Sequence, residues 1–506
     1  MRPSRVIRGS LAAALAGALV LLPTTGGVSG ATTGATSGAV SERYLVVLAG
    51  TQGAGAFTPT ATAGARDSLV RTAGGTVATD LSSQIGVVVV ESANPNFATT
   101  LAASPLVQEV GADWRWKGLP DASQMTPMQA PKGNDNPEPS TDPLEPIQWD
   151  MQQIRTEEAH AKQSGVRAVD VGILDSGIDG NHPDFKDSDG TSNVDCARGH
   201  NSVTFVPAGP GVGNPSPCVD NQFHGTHVAG TVAAQANGLG VVGVAPNVTL
   251  VPVKVCDASG FCYASSVVDG ITYAGDEKLD VINMSFFVDD NEFQESTEFK
   301  CTSDPTQRSF KTAVQRALTY ARGRGVTPVA ALGNSDQDLA NPKDEDGNPI
   351  DNECEVVPAE SAGVIGTAAL GSQSEKSSYS NYGYGPTDVA APGGNGTTGD
   401  CNTTILSTLP GGGYGCIQGT SMASPHAAGV AALIVSQFGK RDNNGGDVAI
   451  SPDAVQSMLQ RTAVDIGLPG YDECFGNGRI DALRAVTRDT SRAYDGSAPN
   501  CPEYAE

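Results

Sequence analysis

The run Ala168-Val-Asp-Val-Gly-Ile-Leu174 is almost wholly apolar and is followed at once by Asp175-Ser-Gly177. A strand that carries apolar side chains on both of its faces is expected where helices cover both sides of a parallel sheet. Further runs of this character occur at Leu250–Val255, Val281–Met284, Val326–Leu332 and Val364–Thr367. The sequence therefore predicts a buried sheet built from these segments.

Segments with the composition of helices lie between the predicted strands. They are His224–Gln235, Ser265–Gly275, Lys311–Gly323, Ser421–Ser436 and Pro452–Thr462. Strands that alternate with helices indicate an α/β fold with a mostly parallel sheet and right-handed crossover connections. Sheets of this kind bind ligands beyond the carboxyl ends of their strands, so functional residues are expected directly after the strands.

Four polar residues in distinctive surroundings occupy such positions or stand near the start of a helix. Asp175 follows the first strand, and Asn334 follows Ala331-Leu-Gly after another. His224 opens the run His-Gly-Thr-His-Val-Ala-Gly, and Ser421 lies within Gly-Thr-Ser-Met-Ala-Ser-Pro-His. Together they supply a carboxylate, an amide, an imidazole and a hydroxyl.

These groups are the ones that nucleophilic attack by a serine requires. The hydroxyl needs an adjacent base, the imidazole needs a carboxylate that fixes its tautomer, and the oxyanion needs N–H donors. Taken singly, each residue has an ordinary structural explanation. Asp175 could bond the N–H groups of a turn, His224 could be a core histidine, Ser421 could cap a helix, and Asn334 could fill a turn. Their occurrence together, in the chain order Asp, His, Ser, favours catalysis.

The order and the motifs resemble those of the subtilisin-like serine proteases, the subtilases. The matching segments are Val171–Asp179, His224–Thr231 and Gly419–Gly429, with weaker support from Val281–Ser285, Asp388–Gly393 and Gly476–Ala482. The resemblance covers residues 147–487 and implies a subtilisin-like catalytic domain that hydrolyses peptide bonds in protein or peptide substrates. It implies that Asp175 orients the base, His224 is the general base, Ser421 is the nucleophile and Asn334 is an oxyanion donor. His227 and His426 fall outside this set and are interpreted as structural.

The chain before residue 147 divides into three expected segments. Residues 1–31 combine a basic start with the apolar run Leu11–Leu22, which is typical of a secretory signal peptide and is too short to span a bilayer. Residues 41–115 show a β-α-β-α-β pattern, and residues 116–146 are rich in Pro, Asp and Asn, as in an exposed linker.

The resemblance gives these front segments a role. It implies that residues 41–115 are a small α+β, ferredoxin-like propeptide that acts as an intramolecular chaperone and inhibitor. It also implies that the enzyme cuts itself within Trp116–Glu145 and is secreted as a zymogen. Residues 488–506 are expected to form a C-terminal tail.

The first part of the chain and the rest differ in net charge. The net charge is −25, and residues 121–506 hold 23 basic against 50 acidic residues. This balance argues against a nucleic-acid partner, since phosphates and carboxylates repel each other. Part of the acidity lies in the insertions 289–309 and 335–356, which we interpret either as solvated loops or as elements that attract basic substrates or cations.

The run Ser285-Phe286-Phe287 departs from the family, in which a Leu-Gly-Gly sequence or one close to it usually follows Ser285. In the family this backbone pairs with the substrate and walls the first specificity pocket. Bulky side chains at these positions are expected to narrow the cleft or to move its wall. The alternative is that the neighbouring insertion relocates this edge.

The resemblance also implies a structural calcium site. Asp184 stands nine residues after Asp175, and the segment 235–241 is Gly-rich. The implied ligands are Asp184, Gln235, Asn237, Leu239, Val241 and, at the N-terminal side, Glu145. Hard oxygen ligands of this kind suit Ca²⁺. The alternative is a sharp Gly-rich turn without an ion.

All ten cysteines lie beyond position 195, in the part of the chain expected to survive processing. Their number leaves the pairing open from sequence alone, and their positions suggest Cys196–Cys218, Cys256–Cys262, Cys301–Cys354, Cys401–Cys416 and Cys474–Cys501. Disulfides fit an extracellular destination. We therefore expect a secreted monomer without an organic cofactor. A catalytically silent subtilase-like binding protein and a lipase of another α/β fold are the alternatives, and Gly-Thr-Ser-Met-Ala around Ser421 does not match the lipase motif.

Overall fold

The structure is a computed structural model that describes residues 42–128, 142–204, 215–287, 304–343, 348–349, 355–397, 400–441, 448–496 and 501. The expected signal peptide lies outside these residues. So do Cys301, Cys354 and the acidic residues of the insertions 289–309 and 335–356, apart from Asp304, Asp336, Asp338 and Glu355.

The N-terminal domain is a four-stranded antiparallel sheet with two helices. Its elements are β1 (Glu42–Leu48), β2 (Gly50–Gln52), β3 (Phe57–Pro59), α1 (Ala63–Thr72), β4 (Gly75–Leu81), β5 (Val87–Ser92), α2 (Phe97–Ala102) and β6 (Val107–Ala112). The sheet order is β4-β5-β1-β6. Without the short β2–β3 hairpin, the succession is the β-α-β-β-α-β of ferredoxin-like folds. The sequence pattern lacked β4, because its buried and exposed residues alternate and give no apolar run.

Two short strands follow in the segment that the sequence assigned to an exposed linker. They are β7 (Arg115–Lys117), which pairs antiparallel with Phe261–Tyr263, and β8 (Thr126–Met128), which pairs antiparallel with Tyr414–Cys416. Both add a strand to an edge of the large domain, where their backbone groups find hydrogen-bond partners. The described part of residues 116–146 is therefore bound to that domain through these two strands, whereas residues 121–124 between them are exposed.

The large domain is built on a parallel sheet of seven strands in the order β10-β11-β9-β13-β14-β15-β16. Its elements up to the last sheet strand are α3 (Trp149–Gln153), α4 (Thr156–His160), β9 (Asp170–Asp175), β10 (His200–Asn201), α5 (His224–Ala233), β11 (Thr249–Lys254), β12 (Phe261–Tyr263), α6 (Ala264–Asp276), β13 (Val281–Met284), α7 (Pro305–Gly323), β14 (Thr327–Ala331), β15 (Ile365–Leu370) and β16 (Val389–Pro392). The expected α/β class is confirmed, and the sheet has two strands more than the apolar runs indicated.

The remaining elements complete the C-terminal part of the domain. They are β17 (Ile405–Leu409), β18 (Gly413–Ile417), α8 (Thr420–Phe438), β19 (Lys440–Arg441), β20 (Val448–Ala449), α9 (Pro452–Thr462), β21 (Asp465–Ile466), α10 (Ala482–Thr487) and β22 (Tyr494–Asp495). The described part of the expected tail is bound to the domain, because β22 pairs with β21 and Cys501 is joined to Cys474.

Helices cover both faces of the sheet and bury two apolar cores. One core packs α6 and α7 against the sheet, and the other packs α5 and α8 against it. Helix α8 is buried from Thr420 to Val435, which explains why its stretch from Ala427 to Val435 carries no polar side chain. Helix α7 begins six residues before the predicted start, since Asp304 accepts hydrogen bonds from two N–H groups of the first turn and Pro305 suits the first helical position.

Candidate active site

Asp175 and His224 form a fully buried pair at the carboxyl end of β9. Asp175 is the last residue of β9, and His224 is the first residue of α5. The Nδ1 atom of His224 lies 2.9 Å from Oδ2 and 3.0 Å from Oδ1 of Asp175. Since a carboxylate can only accept, Nδ1 carries the proton and Nε2 is the free acceptor. Nε2 of His224 has no hydrogen-bond partner among the described residues.

Asp220 fixes the start of the helix that carries His224. Its buried carboxylate accepts hydrogen bonds from the N–H groups of Phe223 and Thr226 and from the hydroxyl of Ser176. The Ser176 hydroxyl in turn accepts from the N–H of Gly225. This network joins the turn after β9 to the first turn of α5. The sequence reasoning missed Asp220, although an Asp shortly before a helix start is a capping signal.

Ser421 is the second residue of α8 and borders the same cavity as His224. Its hydroxyl donates to the carbonyl oxygen of Ser285 at 2.9 Å. The cavity has a volume of about 230 Å³ and is lined by His224, Ser421, Asn334 and Phe287, among others. The structure thus brings the predicted base, nucleophile and amide to one space, and the serine hydroxyl bonds the Ser285 carbonyl rather than the imidazole.

Asn334 is held by the residue before Ser421. Its Oδ1 accepts from the N–H and from the hydroxyl of Thr420, each at 2.9 Å, which leaves the Nδ2 donors for the other side. A methyl group placed on Gly419 would lie 3.5 Å from Nδ2 of Asn334 and 3.6 Å from the backbone N of Ser421. Two N–H donors therefore flank one small space that a glycine leaves open.

The three residues expected to bind substrate play different parts. The hydroxyl of Ser285 is buried and donates to the carbonyl oxygen of Ser421, so this side chain fastens α8. Phe286 is fully buried, with its ring centroid 6.5 Å from that of Trp116. Of the three, only Phe287 lines the cavity with the catalytic candidates.

The end of the N-terminal domain passes along this cavity. β7 lies antiparallel to β12, the N–H of Leu119 donates to the carbonyl oxygen of Gly260, and the side-chain amide of Gln222 donates to the carbonyl oxygen of Pro120. Residues 117–121 line the cavity together with His224 and Ser421. The segment is bound as an added strand, which is the way a peptide binds a sheet edge.

Two further buried histidines have structural contacts. Nε2 of His227 lies 3.1 Å from the carbonyl oxygen of Ile405, which ties α5 to β17, and burial lowers the pKa of His227 to about 3. Nε2 of His426 lies 3.0 Å from Oδ2 of Asp150, which ties α8 to α3. Neither histidine lines the cavity.

Four of the predicted calcium ligands belong to the loop 235–241, and Asp184 contacts this loop. Glu145 is the exception. Oδ2 of Asp184 accepts from the N–H of Val241, and Oδ1 of Asp184 is buried without a hydrogen-bond partner among the described residues. Burial and the negative charge of Asp142 raise the pKa of Asp184 to about 8. Asp142, not Glu145, reaches the loop, where Oδ1 accepts from the N–H groups of residues 237, 238 and 239.

The buried Oδ1 of Asp184, which has no partner among the described residues, is the observation that fits a cation at this loop. Two buried carboxylates close to each other disfavour each other's charge, and a divalent cation relieves that repulsion. The Asn237 amide donates to the carbonyl oxygens of Pro183 and Lys186 and thereby closes the loop. The side chain of Gln235 instead contacts Arg167 and Pro246, so only its backbone remains as a ligand candidate.

The disulfides agree with the suggested pairing wherever the structure describes the cysteines. Bonds join Cys196–Cys218, Cys256–Cys262, Cys401–Cys416 and Cys474–Cys501. The pair Cys301–Cys354 lies outside the described residues. Among the described helices, none combines the length and apolar character that crossing a bilayer requires.

A family model and two curated proteins are similar to this chain in sequence. Residues 167–478 match the model of the Subtilase family. Subtilisin E of Bacillus subtilis (strain 168) is 33% identical over 341 residues, which are 67% of this chain and 71% of that protein. Subtilisin of Bacillus pumilus is 33% identical over 341 residues, 67% of this chain and 98% of that protein.

Solved structures of two proteases are similar to this chain in fold. A protease of Pseudoalteromonas arctica PAMC 21717 shares 30% identity at a TM-score of 0.54, covering 70% of this chain and 100% of that one. The epidermin leader peptide processing serine protease (EpiP) of Staphylococcus aureus shares the fold at a TM-score of 0.66 and 22% identity, covering 90% of this chain and 100% of that one. The chain therefore belongs to the subtilase family and is a serine endopeptidase with a subtilisin-like fold.

Proposed function

We propose that this endopeptidase cleaves peptide bonds through Asp175, His224 and Ser421. The observation that carries the proposal is the buried contact between Asp175 and Nδ1 of His224, which leaves Nε2 unpartnered among the described residues beside the cavity of Ser421. The Ser421 hydroxyl turns from the Ser285 carbonyl to Nε2 when substrate enters. Its Oγ attacks the carbonyl carbon of the scissile bond while Nε2 takes the proton.

The negative charge that forms on the carbonyl oxygen is stabilised by Nδ2 of Asn334 and the N–H of Ser421. The position of Ser421 at the start of α8 adds the positive end of the helix. The imidazolium then protonates the leaving amine, and the amine departs from the acyl-enzyme. Water, deprotonated by His224, releases the acid and restores the hydroxyl.

We propose that the substrate is an extended polypeptide that adds a strand to β12. The pairing of β7 with β12 and the hydrogen bond from Leu119 to Gly260 support this, because they put a segment of this chain where a substrate would lie. The same contacts support a zymogen in which the N-terminal domain blocks the site until the chain cuts itself within residues 116–145. The proposed leader 1–31 would direct the enzyme out of the cell, where its disulfides persist. Asp184, Asp142 and loop 235–241 would hold a structural calcium ion.

A serine-directed fluorophosphonate tests the catalytic assignment. The wild-type chain should be labelled on Ser421 and should cleave peptides, whereas Ser421→Ala should be unlabelled, inactive and, when made without other proteases, left uncut. Ser424→Ala is the matched control, since Ser424 lies one turn further along α8 and donates to Asn283. Labelling of Ser421→Ala at an undiminished level would refute the assignment, and its normal trimming would refute self-processing.

A further inference from the structure

Arg316 projects from α7 into the N-terminal domain. Its Nη1 donates to the carbonyl oxygens of Leu48 at 3.1 Å, Ile85 at 3.3 Å and Gly86 at 3.4 Å. Its Nη2 donates to Oε1 of Gln108 at 2.6 Å. The guanidinium carbon also lies 4.6 Å from the centre of the Phe57 ring. Among the described residues, every hydrogen-bond acceptor of this side chain therefore belongs to the N-terminal domain.

These acceptors are neutral, and Arg316 is buried with 8% of its surface exposed. Arginine does not lose its proton in proteins, so a buried guanidinium must have its N–H groups satisfied by oxygen atoms. Burial accordingly lowers the pKa of Arg316, against the opposing charge of Glu109. The oxygens of the N-terminal domain can accept the hydrogen bonds of the guanidinium only while the domain is bound.

The N-terminal domain presents these carbonyls because its sheet is irregular there. The register of β1 against β6 shifts between Val47 and Leu48, which interrupts the ladder at the residue whose carbonyl Arg316 reaches. Residues 85–86 lie in the turn that enters β5. A forked guanidinium can reach several divergent oxygens at once, which a lysine ammonium does less well.

A second contact on the same helix depends on the absence of a side chain. Gly323, the last residue of α7, meets the tip of the β2–β3 hairpin, and a methyl group there would overlap the carbonyl oxygen of Ala54. In a helix, alanine is otherwise more favourable than glycine. Substitution at this position therefore loosens the domain contact without weakening the catalytic domain itself.

We propose that Arg316 is the anchor that determines how tightly the N-terminal domain stays bound, and thereby how soon protease activity appears after cleavage. The inference rests on the proposed function in one respect: the bound domain must block the active site. The binding partner of the α7 face is thus residues 42–112 of this chain.

Hydrogen–deuterium exchange on the full-length Ser421→Ala chain tests the anchor without any catalysis. Arg316→Leu should raise the exchange of amides in residues 45–50 and 82–90 about 30-fold, as expected for loss of a buried hot-spot arginine. Arg316→Lys should fall between it and the parent, and Gly323→Ala should raise the exchange of amides in the β2–β3 hairpin that contains Ala54. Arg322→Leu is the matched control, because the Arg322 guanidinium donates to Gly363 and Asp453 of the catalytic domain.

Equal exchange in Arg316→Leu and its parent would overturn the proposal. If Arg316→Leu does not fold, Arg316→Lys decides it in the same way. With Ser421 intact, the interval between cleavage and full peptidase activity should shorten about tenfold in Arg316→Leu, while kcat and KM of the processed enzyme stay unchanged. An unchanged interval contradicts the role in activation. A wild-type chain without peptidase activity would refute the proposed function, whereas the exchange experiment would still decide the anchor.

Discussion

Gly419 lies where the two proposed oxyanion donors meet. A methyl group on it would come within 3.6 Å of both Nδ2 of Asn334 and the backbone N of Ser421, and its φ of 156° is unfavourable for other residues. Gly419→Ala should therefore lower kcat about 100-fold or more, as loss of one oxyanion donor does. The rate of peptide hydrolysis by the processed enzyme at saturating substrate measures kcat. Gly413→Ala on β18 is the control, because its methyl group would have ordinary space; equal activities of the two variants would refute the assignment.

Phe287 lies in the wall of the cavity beside the proposed nucleophile. It lines the cavity with Ser421, and its Cδ2 would lie 3.4 Å from a methyl group on Gly333, next to Asn334. Phe287→Gly should widen the range of side chains accepted beside the scissile bond, changing relative kcat/KM values about tenfold in a peptide library. Phe286→Leu, in the buried core, should lower stability and leave the preferences alone. An unchanged profile for Phe287→Gly would contradict this prediction.

His160 should make the chain sensitive to acid. Burial lowers its pKa, although Nε2 contacts the carbonyl oxygen of Val244 at 2.9 Å. The folded state thus binds this proton less readily than the unfolded state, whose pKa is about 6.5. The stabilisation contributed by the neutral ring is present above that pH and is lost as the pH falls below it. In the Ser421→Ala background, the free energy of unfolding should fall more steeply below about pH 6.5 than in the same chain with His160→Gln. Parallel pH profiles would contradict this.

At the scale of elements, β12 pairs with β7 and is the proposed edge for an extended substrate, and a disulfide closes the loop before it. Cys256 and Cys262 are joined, and Asp257 accepts from the N–H of Phe261 and from the hydroxyl of Tyr263. A fixed edge lowers the entropy lost when a peptide pairs with it. The position of the binding edge thus depends on residues that do not touch the reacting atoms.

Replacing both Cys256 and Cys262 with Ser should therefore raise KM about threefold to tenfold with little change in kcat, since ground-state and transition-state binding weaken together. The stability loss should be about 2 kcal/mol. Initial rates over a range of peptide concentrations give both constants. The double variant Cys474→Ser/Cys501→Ser removes a disulfide of the C-terminal region and should leave KM unchanged. A fall in kcat alone would show that β12 does not act as a binding edge.

The elements that sequence could predict are those whose signal is local. Apolar runs located the central strands, and the motif residues Asp175, His224 and Ser421 meet because strand ends and helix starts gather at one edge of the sheet. β4 and β10 have no such runs. The pairing of β7 with β12 joins segments far apart in the chain, and Asp220 acts through backbone N–H groups. No local pattern of side chains predicts contacts of these two kinds.

At the scale of the whole molecule, the proposed processing and the proposed cation site would be linked through Asp142. The proposed cut lies within residues 116–145. Asp142 accepts hydrogen bonds from the N–H groups of residues 237, 238 and 239, in the loop whose Val241 N–H donates to Asp184. A cut before Asp142 keeps both carboxylates beside the loop. A cut after it removes one of them and weakens any cation held there. The geometry therefore favours cleavage on the N-terminal side of Asp142, which sequencing the mature N-terminus would establish.

The cation itself should be visible in thermal unfolding of the Ser421→Ala chain. Calcium in 100-fold excess over its Kd contributes about 2.7 kcal/mol. In a chain of 506 residues a chelator should therefore lower Tm by roughly 3 °C, since the entropy of unfolding is about 2.1 cal/mol/K per residue. Calcium should restore Tm better than magnesium, because the backbone carbonyls and carboxylates of a loop suit the larger ion. Asp142→Asn should respond less, because one of the two carboxylates loses its charge. Asp453→Asn, an exposed carboxylate on α9, should respond like its parent. Identical melting with and without chelator would show that the buried Asp184 is accommodated by the loop alone.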